Sequence, residues 1–405
     1  MTARRILLAD ADAFFVAVAR MVDPEGAGKE PLLIVGGTRE SRGVVCSASY
    51  EVRKFGVRSA MPISRALRLC PQAMCVPVPR RACGEKSRAI REVLERFAPI
   101  VAGASIDEWY MDLGGTEGIY GGEPLATTAH RMRTAVAEST GLSVSIGGGT
   151  TKLVAKLAVE RAKPKPGSGA NGVHVVADGD EESFLATFDL ADLPLVGPRF
   201  QERLARLGMR RVPDVLQYDL TTLISWLGER EARWLYDRVR GIDSGIVEAH
   251  GDAKSISRDD TFPRDINDDD ELAKELLALV TRAARDLRGD GMVARTITVR
   301  IRDHDFKTRQ ANRTLDRPVM SDRVIMEVTR ALLAKLRAAR RVPARLIGVK
   351  LSSLTVDASA DQLALFEQRT KKTDETERDR QLARTIDRVR EKFGDKGILP
   401  ARLIK

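Results

Sequence analysis

Two short apolar segments that lead into carboxylates constrain the fold of this chain more than any other feature of its sequence. The apolar residues 6–9 precede Asp10, and hydrophobic residues flank the adjacent pair Asp107 and Glu108 on both sides. These flanks predict that the acids emerge from a buried sheet, where an unpaired carboxylate is energetically costly. We therefore expect the two segments, which lie far apart in the sequence, to meet in space around a compensating cation.

Strand geometry decides which of these acids can act together. Asp10 and Asp12 share one face of the first predicted strand, residues 5–12, because side chains alternate along a strand. Asp107 and Glu108 would face opposite ways on a regular strand, so both serve one site only at a turn or a distorted strand end. Carboxylates are preferred ligands of Mg²⁺, and two ions about 3.5–4 Å apart would activate a 3′-hydroxyl and stabilise a leaving pyrophosphate. On spacing alone, the alternative is that each acid caps a turn independently.

The charge balance favours an anionic partner. The chain has 405 residues and a net charge of +10, and its length suggests roughly two to four domains. Residues 251–355 carry 22 Lys and Arg against 16 Asp and Glu, which predicts a phosphate-facing surface, although a solvated basic face is the alternative. No apolar run approaches the ~20 residues needed to cross a bilayer, so we expect a cytoplasmic protein without a membrane partner.

The apolar patterning predicts two α/β regions joined through a helical one. Strands and helices over residues 5–163 suit an antiparallel or mixed sheet with helices on one face. Three glycines, residues 147–149, are interpreted as a flexible turn, since the pattern of a phosphate-binding loop is incomplete. Residues 180–241 are predicted to be helical, and residues 254–355 to follow the order strand, helix, strand, strand, helix, strand.

Three segments of the chain resemble signatures of the Y-family DNA polymerases. They are Ala-Asp-Ala-Asp-Ala-Phe-Phe at residues 9–15, Ser-Ile-Asp-Glu at 105–108, and Ala-Ser-Tyr-Glu-Val-Arg-Lys-Phe-Gly-Val at 48–57 followed by Met61-Pro62. Their order and spacing are similar to the DinB, or DNA polymerase IV-like, branch, and the likeness runs from about residue 5 to 366. The resemblance implies an α+β multidomain fold, a right-hand polymerase with a ferredoxin-like palm, small fingers, a helical thumb with a helix-hairpin-helix, and an α/β little finger. The implied boundaries are palm 1–20 and 78–170, fingers 21–77, thumb 171–241, linker 242–253, little finger 254–356, and charged tail 357–405.

The resemblance also implies roles for individual residues. Two Mg²⁺ ions would be held by Asp10, Asp107, Glu108 and the backbone carbonyl of Ala11. Phe15 would be the steric gate that crowds a ribose 2′-hydroxyl, and the incoming nucleotide would also be contacted by Phe14, Tyr50, Arg53 and Lys163. For Asp12, a structural hydrogen bond is favoured over metal ligation. The sequence departs from the family pattern at Trp109, at residues 147–151 and in the extra residues 165–170.

Two segments are expected to hold DNA. Gly197 and Arg199 lie in a helix-turn-helix pattern resembling a helix-hairpin-helix, in which backbone N–H groups can bind phosphate; the alternative is an ordinary helical hairpin. In residues 295–302, apolar side chains alternate with a polar set that includes Arg300 and Arg302. The basic residues Lys307, Arg309 and Arg313 are interpreted as continuing this surface, with contacts largely independent of DNA sequence.

A short apolar motif in the charged tail is expected to bind a partner. The residues Gln362, Leu363, Leu365 and Phe366 resemble the bacterial sliding-clamp-binding peptide, and exposed apolar residues in a charged segment need a reason. The alternative is that these side chains pack back onto the preceding domain.

The function implied is template-directed synthesis of DNA from dNTPs on primer-template DNA, by a monomer and with low fidelity. No segment is left over for a proofreading exonuclease, so bypass of damaged templates is expected. Two alternatives are a nucleotidyl cyclase with a similar palm, which would not need the DNA-holding segments, and a catalytically degenerate DNA-damage accessory protein, which would be expected to lack a metal-binding acid.

Overall fold

The computed structural model describes residues 4–164, 169–248, 253–357, 375–394 and 397–403. The strands are β1 (Ile6–Ala11), β2 (Leu33–Val35), β3 (Ser47–Ala48), β4 (Met74–Val76), β5 (Ile100–Gly103), β6 (Glu108–Asp112), β7 (Val144–Gly149), β8 (Val173–Val175), β9 (Ser255–Ile266), β10 (Met292–Asp303), β11 (Thr308–Val319) and β12 (Ala344–Val356). The helices are α1 (Phe14–Val22), α2 (Tyr50–Arg53), α3 (Ile63–Leu69), α4 (Arg80–Glu95), α5 (Leu125–Thr140), α6 (Lys152–Ala162), α7 (Glu181–Leu185), α8 (Pro198–Arg206), α9 (Val212–Leu216), α10 (Leu220–Leu227), α11 (Glu229–Val239), α12 (Asp269–Gly289), α13 (Asp322–Ala339) and α14 (Glu377–Phe393). The chain divides into two compact units, Met1–Gly251 and Asp252–Lys405.

The first unit is built on a five-stranded sheet with the order β5-β6-β1-β7-β8. β1 is the central strand, and all six of its residues are buried. Leu7 and Ala9 face a core that contains residues of α1, α4 and α5, whereas Ile6 and Leu8 face residues of α6. The expectation of helices on one face only is therefore wrong. The face under α6 is the one on which Asp10 lies, because Asp10 follows Ile6 and Leu8 at strand spacing.

The three consecutive glycines lie inside β7 and not in a turn. Their positions are fully buried, and a Cβ atom on Gly147 would lie 2.2 Å from the backbone nitrogen of Val159 and 2.3 Å from the carbonyl oxygen of Ala155. Glycine in a strand interior marks such a close approach of two backbones. The predicted flexible turn is wrong, because the three glycines lie in a strand, where Gly147 lets α6 lie directly on the central sheet.

Two smaller substructures complete the first unit. β2, β3 and β4 form a three-stranded sheet, with a separate core under α2 and α3. Over residues 43–49, the extended structure consists of the two residues of β3 and an isolated bridge between Val44 and Pro62. Helices α7 to α11 share a core of their own, which includes Leu153 and Leu157 of α6.

The second unit has the predicted element order strand, helix, strand, strand, helix, strand. Its sheet is antiparallel with the order β11-β10-β12-β9, and α12 and α13 contribute to one core with it. The C-terminal helix α14 joins this unit through ion pairs. Asp387 accepts two hydrogen bonds from Arg288, at 2.6 and 2.9 Å, and Asp379 accepts two from Arg323, at 2.7 and 2.8 Å.

In the part of the chain that the structure describes, no helix is long and apolar enough to cross a membrane. Residues 362–366 and residues 165–168 lie outside the described residues, so the predictions made for them rest on sequence.

Candidate active site and DNA-facing surfaces

The register of the central sheet brings the predicted acids together. Asp10 of β1 pairs directly with Glu108 of β6, and directly opposed residues of an antiparallel pair project from the same face. Asp107 lies just before β6, and its carbonyl oxygen accepts a hydrogen bond of 2.9 Å from the nitrogen of Ala11. Asp107 and Glu108 therefore lie at a strand end. This is the position in which adjacent residues can both serve one site.

Two lysines of α6 reach these acids. The ammonium group of Lys156 lies 2.5 Å from Glu108 and 3.8 Å from Asp10. That of Lys163 lies 3.0 Å from Asp10 and 2.7 Å from Glu160. The close packing of α6 on β7 brings both side chains over the acidic face. Lys163 was expected here, but Lys156 was missed, although its spacing of two helical turns from Lys163 is a readable signal.

Burial dominates the electrostatics of Asp10. Only 8% of its surface is exposed, and desolvation raises its pKa to about 6, against the opposing effects of Lys163 and Lys156 and with a further increase from Glu108. Burial alone would lower the pKa of Lys163, but the charge of Asp10 and the hydrogen bond to Glu160 hold it above its ordinary value. At Asp10, burial therefore outweighs the stabilising charges of the two lysines.

The site has the donor chemistry of a magnesium site but not its ligand arrangement. Among the described residues, no group of three or more His, Cys, Asp or Glu side chains is arranged to hold a metal ion. Asp10 and Glu108 converge on the Lys156 ammonium, whereas the carboxylate of Asp107 accepts a hydrogen bond from the Ser105 hydroxyl. Three carboxylates are hard oxygen donors that suit Mg²⁺, so the residue types fit the ion, although the Asp107 carboxylate is held by Ser105 in this structure.

The two phenylalanines at the start of α1 lie in different surroundings. Phe14 is only 2% exposed and packs in the core, so its predicted contact with a nucleotide is not supported. Phe15 is half-buried, and its ring meets that of Phe14 edge-on with 5.5 Å between centroids. Phe14 therefore supports the ring of Phe15.

Tyr50 and Arg53 lie together on α2. The Arg53 guanidinium lies 4.8 Å from the centroid of the Tyr50 ring and donates a hydrogen bond of 2.9 Å to the carbonyl oxygen of Ala48. Burial and then the charge of Asp12 raise the pKa of Tyr50. The charge of Asp12, which follows β1, therefore acts on Tyr50 of α2.

Asp12 makes structural hydrogen bonds, as expected from the sequence. Its two carboxylate oxygens accept hydrogen bonds from the hydroxyls of Ser143 and Ser145, at 2.7 and 2.8 Å. These serines were not identified from the sequence. Their alternate positions near the start of β7, opposite the acidic end of β1, are the signal that was available.

Trp109 fits beside the acids because its neighbours are small. It is 2% exposed and pairs with Ala9 on β1 and Gly103 on β5. A large ring over two small cross-strand partners fills the space without moving the strands. This departure from the family pattern therefore leaves the pairing of Asp10 with Glu108 intact.

The predicted hairpin of the helical region is present in reduced form. Its first arm is a single 3-10 turn, Leu190–Asp192, and its second arm is α8, capped by Gly197. Between them, Leu195 has a left-handed φ of 72° and is 80% exposed. Arg199 is exposed in the first turn of α8, so both predicted DNA-contacting residues lie at an accessible helix start.

The outer face of the second unit's sheet carries only part of the predicted basic set. Arg300 pairs with Gln310, and Arg302 with Thr308, on the face away from the buried isoleucines of β10. Lys307 is exposed in the turn before β11. Arg300 also lies 3.7 Å from Asp259 across the sheet.

Arg309 and Arg313 lie on the opposite side, because β11 pairs them with Ile301 and Ile297. Arg309 donates hydrogen bonds of 2.8 and 3.1 Å to Asp303, which is completely buried. Burial would raise the pKa of Asp303, but Arg309 and Arg340 hold it below its ordinary value. The prediction that Arg309 and Arg313 share a surface with Arg300 is therefore wrong, because they lie on the other face of the sheet.

Comparison with known proteins places the chain in a family. The model of the impB/mucB/samB family matches residues 9–160, that of its C-terminal domain matches residues 253–365, and a DNA polymerase-iota thumb-domain model matches residues 191–243. DNA polymerase IV of Desulfatibacillum aliphaticivorans is 35% identical over 405 residues, covering 100% of this chain and 98% of the relative.

Solved structures agree with these matches. A Y-family DNA polymerase chimera of Dbh and Dpo4 superposes with a TM-score of 0.75 at 25% identity, covering 87% of this chain and all of the other. The insertion ternary complex of Dbh DNA polymerase superposes with a TM-score of 0.60 at 25% identity, with the same coverage. Asp10 and Glu108, paired across β1 and β6, face the lysines at α6. Together with these matches, this arrangement defines a palm-type nucleotidyltransferase. The chain belongs to the Y-family of DNA polymerases, in its DinB or DNA polymerase IV-like branch.

Proposed function

We propose that this chain extends a primer along a DNA template with low fidelity, across damaged as well as intact bases, and that Asp10, Asp107 and Glu108 carry the chemistry. The observation that supports this proposal most directly is the pairing of Asp10 with Glu108 in adjacent strands, with Asp107 at the strand end. The solved relatives include an insertion ternary complex of Dbh DNA polymerase, which supports primer-template DNA and an incoming dNTP as the substrates.

The acids would hold two Mg²⁺ ions together with the carbonyl oxygen of Ala11. Bound magnesium would supply the Lewis acidity that activates the primer 3′-hydroxyl and stabilises the leaving pyrophosphate. The chain's own contribution is to bring Asp10 and Glu108 to one point and to release the Asp107 carboxylate from Ser105. A divalent charge there would also favour the ionised form of Asp10, whose pKa burial raises to about 6.

The nucleotide would be held from α1, α2 and α6. The ammonium group of Lys163, now 3.0 Å from Asp10, is placed to exchange this carboxylate for a triphosphate oxygen. Arg53 offers a guanidinium fork suited to phosphate, and it packs over Tyr50. The half-buried ring of Phe15 would exclude a 2′-hydroxyl by contact with the sugar.

We assign the palm, fingers, thumb and little finger close to the boundaries expected from sequence. Because β8 pairs with β7, we place the end of the palm after Val175 and not at residue 170. Residues 21–77 would be the fingers, and the little finger would be the α/β part of the second unit up to Val356. For the linker we propose residues 242–253, as expected from the sequence.

DNA and protein partners would be held outside the palm. Gly197 and Arg199 would approach the phosphates of the duplex from the thumb, and Arg300, Arg302 and Lys307 from the little finger. Residues 362–366 would bind a sliding clamp. Deletion of these five residues should abolish clamp-stimulated synthesis while leaving unstimulated primer extension intact; equal stimulation of both forms would remove this partner. We further propose that the chain acts as a monomer.

The catalytic assignment is tested by primer extension with Asp107→Asn. Losing one carboxylate of a two-metal site should reduce kcat on the order of a thousandfold. Asp112→Asn is the matched control, since Asp112 lies at the far end of β6, the strand that follows Asp107, and accepts a hydrogen bond from Gly114. Near-normal extension by Asp107→Asn on a folded protein would refute the role of Asp107.

A further inference from the structure

The turn between β1 and α1 determines where the ring of Phe15 lies. Ala13, the residue that caps α1, has φ 46° and ψ 42° and makes no side-chain hydrogen bond to the helix. This left-handed conformation is uncommon for residues other than glycine and persists when the surroundings over-determine it. The turn therefore needs support from outside the helix that it starts.

Asp12, at the start of this turn, provides that support through hydrogen bonds to two serines. Ser145 lies in β7, and Ser143 lies just before it. The backbone nitrogen of Asp12 donates to the carbonyl oxygen of Ser143 at 2.9 Å. One carboxylate oxygen accepts from the hydroxyl of Ser143 at 2.7 Å, and the other from the hydroxyl of Ser145 at 2.8 Å. Ser145 is completely buried, so water does not compete for its hydroxyl. Hydrogen bonds to a charged acceptor are stronger than those between neutral groups.

The residues that follow Asp12 connect this fixed turn to Phe15, a residue that we assign to nucleotide binding. Phe14 is anchored in the core, and the ring of Phe15 packs edge-on against it. The charge of Asp12 also contributes, after burial, to the raised pKa of Tyr50. Asp12 thus lies close to two residues that we assign to nucleotide binding, while making its own hydrogen bonds to the sheet.

We propose that Asp12, Ser143 and Ser145 form a positioning unit that holds Phe15 at the depth needed to exclude ribonucleotides. The inference rests on the proposed steric-gate role of Phe15, and the three residues act through that ring. Their loss should let the turn relax and the ring withdraw. Incorporation of ribonucleotides should then increase, whereas use of deoxyribonucleotides changes little.

The experiment measures kcat and KM for a dNTP and the matching rNTP with the double variant Ser143→Ala/Ser145→Ala. The ratio of the two kcat/KM values should fall on the order of tenfold, the effect of losing hydrogen bonds to a carboxylate. Ser143→Thr, which keeps a hydroxyl at an exposed position, should retain the ratio. Ser139→Ala is the control, because Ser139 is exposed on α5 and contacts Arg96. An unchanged ratio in the double variant would overturn the inference.

A double-mutant cycle with Phe15→Ala separates this inference from the proposed function. If Phe15→Ala alone leaves the ratio unchanged, the gate role itself is wrong. If Phe15→Ala relaxes the ratio, the serine substitutions should have no further effect in that background. If the serine substitutions lower the ratio as much in the Phe15→Ala background as in the native protein, the serines do not act through Phe15. That result would refute the positioning unit. Circular dichroism checks folding, and if the double variant is unfolded, Ser143→Ala alone is read by the same criteria.

Discussion

At Asp10, burial and charge act in opposite directions. The side chain is 8% exposed, and its pKa is raised to about 6 although two lysine ammonium groups lie within 4 Å. Lys156 is shared between Asp10 and Glu108, so one cation already lies where the two carboxylates converge. This ammonium group lies where the proposed divalent ion would enter, so the two cations would compete for the same oxygens.

This competition predicts the effect of Lys156→Met. Removing the ammonium group while keeping an unbranched apolar side chain should strengthen Mg²⁺ binding to the free protein on the order of tenfold, because a repulsive charge near the ion is lost. Titration calorimetry without DNA or nucleotide measures this affinity directly. Lys152→Met is the matched control on the same helix, since Lys152 lies over the ring of Tyr110. Weaker Mg²⁺ binding by Lys156→Met would instead mean that the lysine organises the acids.

Among the secondary-structure elements, the contact of β7 with α6 positions the lysines. A Cβ atom on Gly147 would meet the α6 backbone at 2.2 Å. We expect Gly147→Ala to destabilise the protein by about 2 kcal/mol, as overpacked cores do, and to lower polymerase activity by displacing Lys156 and Lys163. Thermal unfolding and primer extension check both effects. Gly118→Ala, where a Cβ atom would meet nothing within 4 Å, should be neutral; equal stability of the two variants would contradict this account.

Arg309 is expected to stabilise the second unit without contacting DNA. Arg309→Met removes two hydrogen bonds to the buried carboxylate of Asp303, which, among the residues that the structure describes, keeps Arg340 as its charged partner. Breaking such a pair should lower the free energy of unfolding by about 2 kcal/mol. Arg313→Met, at an exposed position of the same strand, should leave stability unchanged. Denaturant unfolding compares the two variants, and equal midpoints would show that the ion pair contributes nothing.

The sequence was informative about elements where local pattern and packing agree. The apolar run before Asp10 predicted β1, and the order of elements predicted for residues 254–355 was correct. Prediction from the sequence failed where tertiary contacts determine the conformation or the exposure of a residue. Glycines 147–149 have the composition of a turn, but they lie in β7, where the close α6 backbone leaves no room for a side chain at Gly147. The charge of Arg309 indicated a surface role, whereas the register of β11 against β10 turns it towards Asp303. In the site, the acids were predicted, but Ser143, Ser145 and Lys156 were missed, because their partners lie on other elements and the spacing signals become meaningful only once those elements are paired.

Across the whole molecule, positive charge is used in two different ways. Much of it is engaged internally, as in the pairs of Arg288 and Arg323 with carboxylates of α14. Net charge alone therefore overstates the surface available to DNA. Arg300 and Arg302 are more accessible, because their strand face is not covered by helices α12 and α13 and also carries the exposed Gln310, although Arg300 lies 3.7 Å from Asp259.

This distinction predicts the salt dependence of DNA binding by the full chain. Each phosphate contact that is lost should reduce the slope of log affinity against log salt by about 1, so Arg300→Ala/Arg302→Ala should reduce it by about 2. The loss should be similar for primer-templates of different sequence, because phosphate contacts carry no base information. Fluorescence anisotropy over a range of salt concentrations measures the slope. Arg313→Ala, on the helix-side face, serves as the control and should leave the slope unchanged. If the double variant keeps the full slope, the outer face of β10 is not in contact with phosphate, and the DNA-facing surface of this unit has to be sought elsewhere.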